Sequence, residues 1–353
     1  MGCSRCQEIP NTSFKNDDIF ISLPTNHHLD LFESALEKRG YDYSIQEGGY
    51  LVKNTGLQDL TSYLSKSVFN SLEQKDVMIL PLESGESLKF SSLKNYRSLA
   101  EWIVLHHGRE VAEIIKEARI MTLFQPIIEA ETGDVYGYEA LSRGVLGDGS
   151  IMNPGKLFST ARDMDMMFFL DRVCREASIR AASLQGIKKK VFINFIPTAI
   201  YEPSLCLQTT ARALSEENID SDQVVFEVVE TEKVEDFGHL NHILDFYRDK
   251  GYSTALDDIG SGYADIKSLL KLKPDYMKID MEIIRDIHRD SKKQETLDEF
   301  IRNGKEIGLK ILAEGIETVE EYRYLLTKEV DLMQGYLFGK PEEVPVAQIQ
   351  MPE

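Results

Sequence analysis

The sequence predicts an α/β protein: a modified TIM (β/α)8 barrel with an antiparallel first strand, preceded by a small α+β N-terminal module. Three observations lead to this fold. Eight short apolar segments recur from about residue 119 onward, amphipathic stretches separate most of them, and several of these stretches end in glycine. Repeated strand–helix alternation with eight strands in about 225 residues indicates a closed barrel.

The eight apolar segments are the candidate barrel strands, because their length and composition are those of buried strands. They are TLFQPII (122–128), YGYEAL (136–141), VFINF (191–195), VVFEVV (224–229), STALDD (253–258), YMKID (276–280), LKILAE (309–314) and LMQG (332–335). Only the short turn EAETGD (129–134) joins the first two. It leaves no room for a helix, so we expect this pair to be antiparallel.

The N-terminal third has a different pattern. A strand in DIFISLP (18–24), a helix in HHLDLFESALEKRG (27–40), two strands around the Gly48-Gly49 turn and a helix in LQDLTSYLSKSVFNSL (57–72) follow one another. This β-α-β-β-α order predicts an α+β module over residues 1–75. A connector and linker helix over 76–118 and a barrel over 119–353 complete the predicted organisation.

Composition narrows the function classes. With 40 basic and 59 acidic side chains, the net charge of −19 argues against DNA or RNA as a partner, because nucleic acids require basic surfaces. No apolar run reaches the roughly 18–20 residues of a membrane span. Four cysteines in 353 residues do not form a disulfide scaffold. We therefore expect a reduced, cytoplasmic protein.

Polar residues interrupt the candidate strands near their C-terminal ends, where barrel active sites form. They are Glu139, Asn194, Glu227, Asp257, Asp258, Lys278, Glu314 and Gln334. A single acid at a strand end is often a helix cap or a surface ion pair. Eight positions in step with the strand period instead indicate one shared site.

Charge balance suggests how such a site is tolerated. Five carboxylates at one barrel mouth would repel one another, and two divalent cations plus Lys278 would neutralise them. Oxygen ligands without nearby His or Cys favour Mg²⁺ or Mn²⁺. Paired ions of this kind commonly act in phosphoryl displacement.

At these residues the sequence resembles the EAL-domain cyclic-di-GMP phosphodiesterases. The motifs are Glu139-Ala140-Leu141, FQPI (124–127), NFIP (194–197), FEVVE (226–230), DDIGSGYA (257–264), YMKID (276–280), AEGIE (313–317) and QGYLFGKPEE (334–343). The resemblance implies hydrolysis of cyclic di-GMP to linear pGpG by a metal-activated water. Glu139, Asn194, Glu227 and Asp257 would hold one metal, and Asp257, Asp258 and Glu314 the second. Ca²⁺ is expected to inhibit.

The resemblance also implies the remaining roles. Lys278 and Gln334 would contact the water, and Glu230 would anchor a loop over residues 257–266 that contributes to a homodimer. Substrate contacts would come from Gln125, Leu141, Arg143, Asn194 and Asp280. Two positions depart from the family pattern, Val229 in place of a threonine and Ile259 in place of a phenylalanine, and they affect the ordering of the loop more than the chemistry.

Two other functions fit parts of the pattern. A receptor that holds cyclic di-GMP without cutting it would signal through the N-terminal module, and a barrel enzyme that stabilises an enolate would need one Mg²⁺ and a lysine base. Separately, Cys3 and Cys6 form half of a zinc site that His27-His28 could complete. No metal at these cysteines is the favoured interpretation.

Overall fold

The protein is described by a computed structural model over residues 17–24, 29–46, 48–82, 84–85, 90–229, 237–260 and 272–351. The described chain divides into two compact units. One contains residues 17–116 together with 158–166, and the other contains 117–157 and 167–351.

The N-terminal unit is built on a five-stranded sheet with strand order β2-β3-β1-β4-β5. Its elements are β1 (Asp17–Ser22), α1 (Leu29–Arg39), β2 (Tyr43–Gln46), β3 (Gly49–Thr55), α2 (Leu57–Ser67), α3 (Glu73–Asp76), β4 (Met78–Leu82), β5 (Arg97–Ser98), α4 (Leu99–His107) and α5 (Arg109–Lys116). The predicted β-α-β-β-α order is present. The expected α+β module is therefore confirmed.

The module extends beyond the predicted boundary at residue 75. Strand β4 lies next to the central β1, with Ile19 paired to Pro81, so residues 78–82 belong to the sheet and not to a connector. The linker helix expected within residues 76–118 is two helices, because α4 ends at His107 and Gly108 caps it before α5 begins. A Cβ at residue 108 would overlap the side chain of Met164, so the glycine allows the chain at residue 108 to pack against Met164.

The second unit is the predicted barrel. Eight strands close in the order β6-β14-β13-β12-β11-β10-β9-β7, and β7 pairs again with β6. The strands are β6 (Ile120–Glu129), β7 (Val135–Val145), the short β8 (Ile151–Met152) outside the ring, β9 (Lys190–Phe195), β10 (Val224–Val228), β11 (Ser253–Ile259), β12 (Tyr276–Ile279), β13 (Lys310–Ala313) and β14 (Leu332–Gln334). The antiparallel pairing of β6 with both neighbours confirms the irregular first strand.

Helices follow most strands, as the alternation predicted. They are α6 (Pro154–Asp163), α7 (Met167–Leu184), α8 (Pro203–Cys206), α9 (Gln208–Glu216), α10 (Phe237–Asp249), α11 (Met281–Ile284), α12 (Ser291–Glu306) and α13 (Val319–Leu325). In the described ranges, no helix has both the length and the apolar character needed to cross a bilayer.

An apolar layer inside the barrel supports the site. Its members are Ile127, Phe192, Val225, Ala255, Tyr276, Leu312 and Leu332. Side chains two residues apart on a strand share a face. The polar residues Asn194, Glu227, Asp257, Lys278, Glu314 and Gln334 each follow a member of this layer by two residues, so the strand period directs them to the barrel interior.

Candidate functional site

Lys278 is the centre of the candidate site. It lies on β12, is 1% exposed, and its Nζ is surrounded by carboxylates. The nearest oxygens are Glu314 Oε1 at 2.8 Å, Asp257 Oδ1 at 3.0 Å, Glu227 Oε1 at 3.1 Å and Glu139 Oε1 at 4.0 Å. Residues from five strands or strand ends therefore meet around one ammonium group.

This ammonium group stays charged. Burial alone would lower the pKa of Lys278, but the surrounding carboxylates Asp257, Glu139, Glu227 and Glu314 raise it well above its ordinary value. One lysine nevertheless balances only one of the acids. When they are ionised, the acids together carry more negative charge than Lys278 neutralises.

Glu139 is held by two amides. Asn194 Nδ2 donates to its Oε1 at 3.1 Å, and Gln334 Nε2 donates to its Oε2 at 2.7 Å. Both amides thus present their nitrogens to the carboxylate, which leaves their oxygens for other contacts. No described residue provides a hydrogen bond to the buried Oε1 of Gln334.

Glu227 is the most deeply buried acid of the site, at 0% exposure on β10. Its Oε1 lies close to Lys278 Nζ, yet across the described part of the chain neither oxygen has a partner in hydrogen-bond geometry. Burial, followed by repulsion from Glu139 and Asp257, raises the pKa of Glu227 well above normal, and Lys278 opposes this shift. The ammonium of Lys278 is a single charge beside several acids, so a second cation or a proton would stabilise this buried carboxylate further.

Asp257, Asp258 and Glu314 form a second group. One oxygen of each lies within 4.8 Å of the others, a spacing that a single metal ion could bridge. Asp258 has a left-handed backbone, φ 56°, and its N–H donates to Asp257 Oδ1 at 3.0 Å. Burial, then the charges of Asp257 and Asp280, raises the pKa of Asp258 to about 7. The pKa of Glu314 is raised well above normal by burial and by the neighbouring acids.

The predicted substrate residues lie on the same strands or just beyond them. Gln125, on β6, donates from Nε2 to the carbonyl oxygen of Gly339 at 3.3 Å. Arg143 lies near the end of β7, and its Nη1 donates to the backbone carbonyl oxygen of Ser142 at 2.9 Å. Leu141, also on β7, is partly buried. Asp280 follows β12 and caps α11 by accepting from the Glu282 N–H at 2.7 Å. Their roles toward substrate stay predictions.

Some predicted residues lie outside the described residues. Glu230, Cys3 and Cys6 are among them, as are residues 261–266 of the expected dimer loop. The departure Ile259 is described, as a fully buried residue at the end of β11.

A close backbone contact beside Gln334 was not predicted. The Ile316 N–H donates to the backbone carbonyl oxygen of Gln334 at 3.1 Å, and a Cβ on Gly335 would overlap the backbone of Ile316. Gly335 thus lets the loop after β13 approach the end of β14. The Gln-Gly dipeptide was the available signal, because glycine next to a polar strand end often marks close backbone approach.

The donor set fits divalent cations. The oxygens are those of five carboxylates and two amides, the ligand type that Mg²⁺ and Mn²⁺ prefer. The unpaired oxygens of Glu227 and the raised pKa values of Glu227 and Glu314 fit a site in which these acids carry either a bound cation or a proton in addition to the charge of Lys278.

The fold and the site define an EAL-type barrel, with its antiparallel first strand and its ring of acids at the strand ends. Residues 109–341 match the family model described as "EAL domain". The chain belongs to the EAL domain family.

Known proteins similar to this chain carry related names. Cyclic di-GMP phosphodiesterase NbdA of Pseudomonas aeruginosa is 27% identical over 252 residues, which cover 70% of this chain and 32% of NbdA. The chain thus spans about a third of the length of this curated relative. A standalone EAL protein from Vibrio cholerae O395, solved in a c-di-GMP bound form, is 33% identical with a TM-score of 0.60, over 65% of this chain and 95% of that one.

A third likeness concerns the fold alone. Klebsiella pneumoniae BlrP1 is 22% identical, with a TM-score of 0.59 over 94% of this chain and 98% of that chain.

Proposed function

We propose that this protein hydrolyses cyclic di-GMP to linear pGpG, using two divalent cations, and so lowers the level of this second messenger. The observation that carries the proposal is the convergence of the predicted acids, both amides and Lys278 at one end of the barrel. The names of NbdA and of the Vibrio cholerae complex support the choice of dinucleotide.

The proposed cations are Mg²⁺ or Mn²⁺. Glu139, Asn194, Glu227 and Asp257 would hold one ion, and Asp257, Asp258 and Glu314 the other. When bound, the ions supply positive charge against the phosphate and lower the pKa of a water molecule at the site. Ca²⁺ would fit with looser geometry and inhibit.

The residues of the chain orient the reactants in this proposal. The ammonium of Lys278 is a donor with four acids around it, and it stabilises a negatively charged nucleophile in the same space. The unsatisfied Oε1 of Gln334 accepts a hydrogen bond from the attacking water and aims it. Glu139 receives hydrogen bonds from Asn194 and Gln334, which fix its carboxylate.

Substrate binding would use the guanidinium of Arg143 as a planar donor to a phosphate. Gln125, Leu141, Asn194 and Asp280 are the further proposed contacts. We also propose a homodimer that involves the barrel and residues 257–266. Activity that does not change with protein concentration would argue against the dimer.

The test is direct. Purified protein is incubated with cyclic di-GMP and Mg²⁺ or Mn²⁺, and the products are separated by chromatography. The proposal expects linear pGpG, loss of the reaction with a chelator, and loss in Glu139→Ala with the fold retained by circular dichroism. Tight binding of intact dinucleotide with both metals present, but no pGpG, would refute hydrolysis and favour the receptor function.

A further inference from the structure

A buried ion pair lies behind the strand that carries Asn194. Asp171 and Arg175 are one turn apart on α7, at 3% and 0% exposure. Oδ2 of Asp171 accepts from Arg175 Nε at 3.0 Å and from Nη2 at 2.7 Å. Two donors of Arg175, Nε and Nη2, therefore share one oxygen of Asp171, Oδ2. The other oxygen, Oδ1, is available for a different contact.

That second oxygen contacts the loop at the site. Oδ1 of Asp171 accepts from the backbone N–H of Ile196 at 2.9 Å. Strand β9 ends at Phe195, so Ile196 is the first residue beyond the barrel ladder, and Pro197 after it has no N–H. Asp171 therefore fixes the chain two residues after Asn194.

The same short segment is linked to two acids of the site. Asn194 donates to Glu139, and it is the Cα partner of Glu227 in the parallel pairing of β9 with β10. The Phe195 oxygen accepts from the Val229 N–H at 3.1 Å. A shift of residues 194–196 would therefore move Asn194 and disturb its contact with Glu139.

The ion pair is not explained by stability alone. Replacing a buried ion pair with apolar residues of similar volume is often neutral or stabilising. Burial would lower the pKa of Arg175, but the nearby Asp171 raises it, so the guanidinium stays protonated. The pair does provide a fixed acceptor for an N–H that the barrel leaves unpaired.

We propose that Asp171 is a positioning residue for the metal site: it holds residues 194–196 so that the Asn194 side chain faces the cation that Glu139 and Glu227 share. Arg175 orients the carboxylate of Asp171, and Thr210 on α9 accepts from Nη1 of Arg175. This inference rests on the proposed function, because it concerns the same metal site.

The test compares two nearly isosteric variants of the full chain. Asp171→Asn removes the charge and can offer only one acceptor oxygen, whereas Thr210→Val removes a partner of Arg175 and leaves the contact with Ile196. Binding of Mn²⁺ is measured by titration calorimetry without dinucleotide, and melting temperatures are measured with a chelator present. We expect Mn²⁺ affinity to fall about tenfold in Asp171→Asn, at the low end for outer partners of metal ligands. Thr210→Val should lower the melting temperature while Mn²⁺ affinity stays within about twofold of wild type.

Unchanged Mn²⁺ affinity in Asp171→Asn would overturn the positioning role, as would an equal loss of affinity in Thr210→Val. If Asp171→Asn does not fold, Arg175→Lys takes its place, because it keeps a cation beside Asp171 without the planar fork. A smaller loss of Mn²⁺ affinity is then expected, and no loss would overturn the inference. A wild-type protein that binds no Mn²⁺ would instead overturn the proposed function itself.

Discussion

The metal-free protein should become less stable as the pH rises from 5 to 8. Glu227, Asp258 and Glu314 have pKa values raised mainly by burial. Between the unfolded and the folded pKa, the folded state binds more protons than the unfolded state. The stability that these acids contribute is thus fully present below the unfolded pKa and is lost as the pH rises through the folded one.

Asp258 allows a magnitude to be worked out. A pKa raised from 3.8 to about 7 corresponds to about 4 kcal/mol at 1.36 kcal/mol per unit, and about two thirds of it falls between pH 5 and 8. The Asp258 side chain is partly open to solvent, and solvent screens the neighbouring charges. We therefore expect Asp258 to reduce the free energy of unfolding by about 1–2 kcal/mol between pH 5 and pH 8.

The assay is urea unfolding in a chelator at pH 5 and pH 8, for wild type and Asp258→Asn. Asparagine tolerates the left-handed backbone at residue 258, and it does not titrate, so groups common to both proteins cancel in the difference. Between pH 5 and pH 8, the free energy of unfolding should fall by about 1–2 kcal/mol more in wild type than in the variant. Adding Mg²⁺ at pH 8 should restore the stability of wild type more than that of the variant.

An equal pH dependence for wild type and Asp258→Asn would refute this reasoning. So would a wild type that gains stability relative to the variant as the pH rises. Either result would mean that the folded protein does not disfavour the ionised form of Asp258.

Three further substitutions test separate parts of the site. Lys278→Met should lower the free energy of unfolding by about 3–5 kcal/mol in a chelator, because the acids around residue 278 lose their cation. It should also reduce turnover more than 100-fold. A variant that is as stable and as active as wild type would contradict this prediction. Gly335→Ala should lower the free energy of unfolding by about 1–3 kcal/mol and reduce turnover, because the added methyl group displaces the backbone of Ile316 from that of Gln334. A variant with the melting temperature and turnover of wild type would count against the importance of that contact. Arg143→Lys should raise KM for cyclic di-GMP about tenfold with kcat little changed, and an unaltered KM would remove Arg143 from the phosphate site.

The barrel strands could be predicted because two periodicities coincide in this sequence. Apolar runs mark the strands, and one or two polar residues interrupt most of them at the same end. A polar residue in a buried strand has few structural explanations, so Lys278 in YMKID and Gln334 in LMQG pointed to the site. The structure brings both to Glu139, one by charge and one by a hydrogen bond.

The parts that the sequence did not predict depend on contacts between distant residues. Strand β4 contains Pro81, which is unfavourable within a sheet, and its place beside β1 comes from tertiary pairing. The break at Gly108 reflects packing of Met164 against a position without a side chain. Asp171 appears as an ordinary polar residue in a helical pattern, and only the fold brings it to Ile196.

The most direct test of the account is the number of Mn²⁺ ions bound per chain, measured by titration calorimetry at pH 8 on chelator-stripped protein. Four acids, Glu139, Glu227, Asp257 and Glu314, surround Lys278, and Asp258 lies beside the last two. This clustering predicts two ions per chain, with binding strongly weakened in Glu227→Gln. No binding by the wild-type protein, or binding that Glu227→Gln leaves unchanged, would contradict the claim that divalent cations hold these acids together.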